Sequence, residues 1–196
     1  LAKRSGGELE NGAEERAPAG PVLTAEDVRE LESMCEGVSG YFYKMLNFLE
    51  ERLQDGVRRG RFTWERVRAD LDTALWYSYI CNNVDEYEYY YRAAQWMPDS
   101  EQAAEQARSG VWYYRYACAL TYCGRLEEAL KYAEKGVGLD PEYVWGWLMY
   151  GRLLSHFGDR EGALAAADRG LALEPGDYEF TTLRREIQKG RTLEEM

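Results

Sequence analysis

The sequence predicts an all-α protein whose core is a stack of antiparallel helix pairs. Three observations predict it. From Ala25 onward, apolar residues recur at alternating spacings of three and four, the period of a helix face. Two segments superimpose without a gap at a spacing of 34 residues, pairing Gly124 with Gly158, Ala129 with Ala163, Ala133 with Ala167, Gly136 with Gly170 and Pro141 with Pro175. Glycine and proline stand where each helical pattern stops, the punctuation expected of short stacked helices.

Residues 1–23 read as a disordered, charged tail rich in glycine and proline, with almost nothing apolar to bury. Thr24 then opens a helix, and Asp27 three residues on completes a capping box. Residues 24–62 are expected to hold one long N-terminal helix and a basic loop. Val28, Leu31, Cys35, Val38, Phe42, Met45 and Leu49 make a single stripe along residues 25–54. A coiled-coil dimer would use a narrow seam. Met34, Tyr41 and Phe48 widen the stripe, which suits packing within one chain. Gly37 and Gly40 permit a bend or a close approach within it. Arg52, Arg58, Arg59, Arg61, Arg66 and Arg68 form a basic island in an acidic chain. It admits an acidic or nucleic-acid partner, or a solvated loop paired with nearby acids; the second reading is preferred. Thr63 caps a second helix running from Trp64 to Cys81, and a third spans Asp85 to Met97 and stops before Pro98.

Residues 63–196 carry the repeats. The two clear copies, 110–143 and 144–177, also pair Tyr113 with Trp147, Tyr116 with Tyr150, Ala117 with Gly151 and Leu120 with Leu154. This order of large aromatic, large, small and large residues, then a turn glycine, a second-helix alanine and a closing proline, resembles the tetratricopeptide repeat. The resemblance implies a right-handed α-α superhelix of helix pairs, here with an extra N-terminal helix. Ala117 and Gly151 let Ala129 and Ala163 approach closely. Gly124 and Gly158 suit the tight turn between helices, where φ turns positive. Pro141 and Pro175 end each unit. A degenerate copy at 67–100 follows from aligning Pro98 with Pro141, which places Ala74 on Ala117, Tyr77 on Leu120 and Cys81 on Gly124. The extra residues Glu101 to Ser109 are expected to lengthen the following helix by about two turns. Residues 178–196 form a capping or truncated copy, because Gly190 to Met196 resembles the start of another second helix. Since the chain also begins at Leu1, it is expected to be a piece of a longer protein.

Composition narrows the function. The 196 residues carry 35 acidic and 24 basic side chains, a formal net charge of −11, which argues against a general nucleic-acid binder. One histidine cannot build a His-rich metal site. No apolar run of about 18 residues exists to span a membrane. Four cysteines without a C-x-x-C read as free thiols in a reducing, cytoplasmic setting. No P-loop, G-x-G-x-x-G or H-E-x-x-H appears, so no catalytic residue, cofactor or metal is expected.

The resemblance implies a non-catalytic interaction module that holds a peptide or partner helix in a concave groove lined by first helices. Carried onto this chain, the groove positions are Val111, Tyr114, Cys118, Thr121 and Tyr122 in one copy, and Trp145, Leu148, Arg152, Ser155 and His156 in the next. The degenerate copy supplies Arg68, Leu71, Leu75, Ser78 and Tyr79. Leu71 and Leu75 stand where a branch of the family that clamps chaperone C-termini would need Lys and Asn, which argues against that ligand. His156, just before the turn glycine, is expected to cap the last carbonyls of its helix. Two alternatives stay open: a structural or self-association scaffold using the 25–54 helix and the Tyr87, Tyr89, Tyr90 and Tyr91 cluster, or a regulatory arm of a larger signalling protein or enzyme. The partner is expected to be a protein or peptide, with homo-oligomerisation the less favoured reading.

Overall fold

The computed structural model describes residues 20–35 and 41–191. The expected tail before Gly20, the glycines at 37 and 40 and the resemblance after Arg191 lie outside the described residues. The described residues are helical and contain no strand.

The N-terminal region differs from the expected single helix. It forms α1 (Ala25–Cys35) and α2 (Tyr41–Arg58), which fold back and pack on each other. The two halves of the apolar stripe therefore share one core instead of offering a seam: Leu31 from α1 and Met45, Leu46, Leu49 and Leu53 from α2 are all buried. The α1 cap is as its residues dictate. Thr24 N–H donates to Asp27 Oδ2 at 2.9 Å and Asp27 N–H to Thr24 Oγ1 at 3.2 Å, satisfying two orphan donors reciprocally.

The expected helix from Trp64 to Cys81 is also two. Thr63 caps α3 (Trp64–Ala69), but at Asp70 the backbone is extended and a new helix, α4 (Leu71–Val84), begins. Asp70 Oδ2 accepts from Thr73 N–H at 2.9 Å and from Thr73 Oγ1 at 2.7 Å, so an aspartate that reads as a helix interior residue is an N-cap. α5 (Tyr87–Trp96) follows, with Asp85 at φ 60° making the left-handed turn between them. After α5 comes a 3-10 turn at Met97–Ser100 and then a separate short helix, α6 (Glu101–Gln106). The extra residues thus do not lengthen the next helix. Arg108 turns left-handed at φ 51°, and the Ser109 side chain accepts from Trp112 N–H to start α7 (Gly110–Tyr122).

From there the 34-residue period is followed closely. α7 pairs with α8 (Leu126–Leu139), α9 (Val144–His156) with α10 (Arg160–Leu173), and α11 (Tyr178–Lys189) packs on α9 and α10. Gly124 and Gly158 sit in the turns at φ 72° and 83° with nothing near a hypothetical Cβ, so backbone conformation alone requires glycine there. Pro141 and Pro175 lie just past the ends of α8 and α10. Ala129 and Ala163 are fully buried. A Cβ on Gly151 would lie 3.4 Å from Ala163 O and 3.0 Å from Leu183 Cδ2, the close approach the pattern predicts. Trp147 anchors its own helix by donating Nε1–H to Pro141 O at 2.9 Å.

The turn at Asp85 corrects the register of the degenerate copy. Asp85, not Cys81, takes the place of Gly124; Cys81 is buried inside α4. Tyr77 then falls on Tyr116, Ser78 on Ala117 and Cys81 on Leu120. α5 is a turn shorter than α8, so a proline-anchored alignment slips by four residues.

Candidate functional site

α4, α7 and α9 lie side by side and present one face. Between them is a cavity of about 450 Å³. α4 contributes Tyr79, Asn82 and Asn83, α7 contributes Tyr114, Arg115, Cys118 and Tyr122, and α9 contributes Trp145, Met149 and Arg152; Tyr90 and Tyr143 complete it. No acidic residue lines it. Acids concentrate elsewhere: Glu127 and Glu128 on α8, Asp168 on α10.

Each wall follows from local packing. Tyr122 is half exposed and stacks on Tyr90, ring centroids 4.1 Å apart, which ties α7 to α5. Tyr114 meets Tyr143 edge to face at 5.8 Å. Trp145 keeps 40% of its surface exposed at the rim. Arg115 is largely withdrawn from solvent. Its guanidinium donates to Leu75 O at 2.6 Å and lies 5.1 Å over the Tyr79 ring, bridging α7 to α4. Asn82 donates Nδ2–H to Arg115 O at 2.9 Å, while its Oδ1 is buried without a hydrogen-bond partner. Arg152 pairs with Glu179 of α11 at 3.0 Å.

Burial sets the ionisation of these groups. It raises the Tyr79 and Tyr143 phenols to about 12 and holds Tyr114 higher still. The Cys118 thiol is pushed up to about 12, again chiefly by burial, so it is a packed thiol and not a nucleophile. Burial also lowers Arg115 from the ordinary guanidinium range, against the opposing influence of Tyr143 and Tyr79. The arrangement offers ring faces, two carboxamides and two cations: chemistry for holding a ligand.

Of the residues named from sequence, Tyr79, Tyr114, Cys118, Tyr122, Trp145 and Arg152 meet in this cavity. Leu148 does not. It is buried in the C-terminal core with Leu154 and Phe180, and Met149, one residue on, faces the cavity instead. His156 lies outside too, in a shallow pocket with Tyr87 and Tyr122 at the turn end; its ring packs edge to face on Phe157, and its Nδ1 is buried without a partner instead of capping a carbonyl. Arg68 is held by Asp99 and by Gln95 O at the 3-10 turn, and Ser78 is fully buried. The corrected register puts Leu75 and Tyr79 at the two positions first assigned to Leu71 and Leu75, so neither Lys nor Asn stands there. Asn82, Asn83, Arg115, Tyr143 and Met149 are the lining residues that sequence reasoning missed. A register anchored on the turn would have found the asparagines.

The basic island is largely paired. Arg58 and Arg59 hold Asp55 at 2.7 and 2.8 Å, Arg52 reaches Asp27 at 3.4 Å, and Arg66 donates to Gly20 O. Of the clustered tyrosines, Tyr90 is buried and Tyr87 and Tyr91 are exposed. Among the described residues no helix is long and apolar enough to cross a membrane, and no group of His, Cys, Asp or Glu is placed to hold a metal.

Residues 124–187 match the family model of the tetratricopeptide repeat. No curated protein matches the sequence. Solved structures are similar in fold. The first tetratricopeptide domain of human RPAP3 is 21% identical, with a TM-score of 0.53 over 60% of this chain and 91% of that one. The first such domain of Spaghetti (RPAP3), bound to an HSP90 peptide, SRMEEVD, is 21% identical, with a TM-score of 0.53 over 63% of this chain and 96% of that one. A thermophilic tetratricopeptide protein of Thermus thermophilus is 16% identical, with a TM-score of 0.59 over 84% of this chain and 80% of that one. The family model over residues 124–187 and the paired helices at a 34-residue period identify tetratricopeptide repeats in that part of the chain, on a helical-repeat superhelix shared with the solved structures.

Proposed function

We propose that this chain is a non-catalytic protein-interaction module that binds an extended peptide or a partner helix in the groove across α4, α7 and α9. One observation carries the reading: three successive helix pairs give side chains to a single cavity of about 450 Å³ that is rich in aromatics and free of acids, on a chain of net charge −11. Rigid aromatics such as Tyr114, Tyr122 and Trp145 are the residue types that dominate binding energy when a partner covers them. A neighbour in fold, the first tetratricopeptide domain of Spaghetti, holds a peptide, which supports a protein or peptide partner. The reading needs no cofactor, nucleic acid or membrane, and suits a cytoplasmic setting.

Affinity capture from a lysate, with mass spectrometry, tests it. Tyr114→Ala with Trp145→Ala is expected to lose the captured partners while the far-UV helix signal persists. Capture unchanged by that double variant would sink the groove assignment. Self-association is the second reading, favoured by Tyr87 and Tyr91, 66% and 51% exposed one turn apart on α5. Sedimentation at several concentrations separates the two, since a monomer throughout removes it.

A further inference from the structure

The edge of the stack where each first helix gives way to its second is a surface apart from the groove. Four helix pairs in turn leave a large aromatic exposed on it. Tyr43 near the start of α2, Tyr87 at the start of α5, Tyr122 at the end of α7 and Phe157 just past α9 are 41%, 66%, 54% and 42% exposed. Contacts join them into one row. The Tyr43 hydroxyl donates to Glu86, the neighbour of Tyr87. Tyr87 and Tyr122 share a shallow pocket of about 410 Å³ with His156, whose ring packs on Phe157 at 5.1 Å. Of the four, Tyr122 also reaches the groove cavity; the other three do not line it.

The charge along this edge is acidic. Asp85, Glu86 and Glu88 are all exposed around Tyr87, and Glu127 and Asp159 are exposed at the next two turns. The bases are Lys44, exposed beside Tyr43, and two engaged arginines: Arg125 pairs with Glu128, and Arg160 donates to Gln188 O. The groove has the opposite character, with two cations and no acid in its lining. Exposed ring faces flanked by carboxylates attract cations twice, through the ring quadrupole and through the charge. The fold uses the same pairing on its own rings: Arg92 lies 5.4 Å over Tyr89 of α5, and Arg52 lies 4.9 Å over Phe48. An anionic partner such as a nucleic acid is repelled here.

Spacing narrows the partner further. Packed helices lie about 8–10 Å apart, and α4 packs on α7 and α7 on α9, so their turns recur at about that interval. A polyproline II segment advances about 3.1 Å per residue and three residues per turn, returning every third side chain to one face after about 9.3 Å.

We propose that this edge is a second docking surface, which takes a cationic extended segment of a partner protein. Arg or Lys at every third residue lies on the rings of Tyr87, Tyr122 and Phe157 and against Glu86 and Glu88. The proposal stands independently of the groove reading.

The probe is a fluorescein-labelled synthetic peptide of repeated Arg-Pro-Pro triplets, read by fluorescence anisotropy against the purified chain. Tyr87→Ala with Phe157→Ala is expected to weaken it about fivefold or more, the loss expected for two exposed cation–π contacts. Glu86→Gln with Glu88→Gln is also expected to weaken it, and Tyr87→Phe, which keeps the ring, to stay within about twofold of wild type. Tyr114→Ala with Trp145→Ala is expected to leave this affinity unchanged. A triplet peptide with Gln for Arg, and one with the same residues but all arginines in one block, are expected to bind more weakly; these ligand-side changes decide the matter even where a variant fails to fold. Binding no tighter than that of the Gln peptide overturns the proposal. So does an affinity untouched by Tyr87→Ala with Phe157→Ala, which would mean diffuse attraction to an acidic chain. Loss in the groove variant instead would put the peptide in the groove, and equal binding of the block peptide would overturn the every-third register. Sedimentation of the same variants covers the remaining occupant: a dimer abolished by Tyr87→Ala with Phe157→Ala would give the edge to a second copy and overturn the partner segment.

Discussion

Gly170→Ala is expected to destabilise the protein although alanine is the better helix former. A Cβ there would lie 2.0, 2.2 and 2.3 Å from three carbons of the fully buried Phe180 ring. Carbon atoms in contact prefer about 3.5–4.0 Å, so the ring must retreat by about 1.5–2 Å. Overpacking of this kind costs about 1–3 kcal/mol. The gain from replacing glycine inside a helix is about 1 kcal/mol. Releasing α11 altogether would forfeit the burial of Phe180, Leu183 and Ile187, at about 1.5–3 kcal/mol each, so a strained ring is cheaper than an undocked helix. The net loss is up to about 2 kcal/mol. Gly138→Ala is the matched control: nothing lies within 4 Å of its Cβ, and it is expected to gain up to about 1 kcal/mol. Urea melts followed by far-UV circular dichroism should separate the two variants by about 1–3 kcal/mol. Phe180→Leu in the Gly170→Ala background should recover part of the loss, giving a coupling above about 0.5 kcal/mol in a double-mutant cycle. A Gly170→Ala protein as stable as Gly138→Ala, or an additive cycle, would refute the packing argument.

Three further outcomes are expected. Gly158→Ala, forced to φ 83° without any steric contact, should cost about 1–2 kcal/mol, and a urea melt showing no loss would contradict the left-handed turn. Ser100→Ala removes the buried acceptor of Trp112 Nε1–H, a bond of 2.9 Å, and should cost about 1–3 kcal/mol, lowering the melting temperature by about 2–4 °C per kcal/mol. Burial raises Tyr79 and Tyr143 from 10.0 to about 12, so the native state holds these protons more tightly than the unfolded chain. Stability should be level below pH 10 on their account and fall from pH 10 through 12, with their tyrosinate absorbance appearing only in that window; ionisation near 10 without loss of structure would count against the buried groove.

The parts legible in the sequence are those where one residue type has one local use. Gly124 and Gly158 in positive-φ turns, Thr24 and Thr63 as caps, and the small and large residues of α7 to α10 all state their role without tertiary context. The misreadings share a physical cause. Asp70 is compatible with a helix interior until its side chain takes Thr73 N–H, a choice settled by α3 packing beside the 3-10 turn. Pro98 marks the end of a second helix that is one turn short, so counting back from it misplaces the lining of α4. Leu148 and Met149 are both apolar neighbours on a helix buried on two sides, and periodicity cannot say which side is the groove. Arg115 reads as a solvent-facing charge within an aromatic run; only the stacking of α4 on α7 withdraws it.

The apolar interior is divided, and α9 is where it divides. Met149 and Leu153 belong to the large cluster that runs back to the N-terminal helices, whereas Leu148 and Leu154 belong to a smaller one shared with α10 and α11. In a quasi-linear stack, cohesion is a sum over nearest neighbours. The smaller cluster is therefore a separable cooperative unit, expected to open before the rest and to give its amides up earlier in native-state hydrogen exchange. Because Glu179 rides on α11, each such opening releases Arg152 while Arg115 stays held by α4. The groove is then a site whose charge balance fluctuates on the timescale of a local unfolding event, with one fixed cation and one intermittently freed.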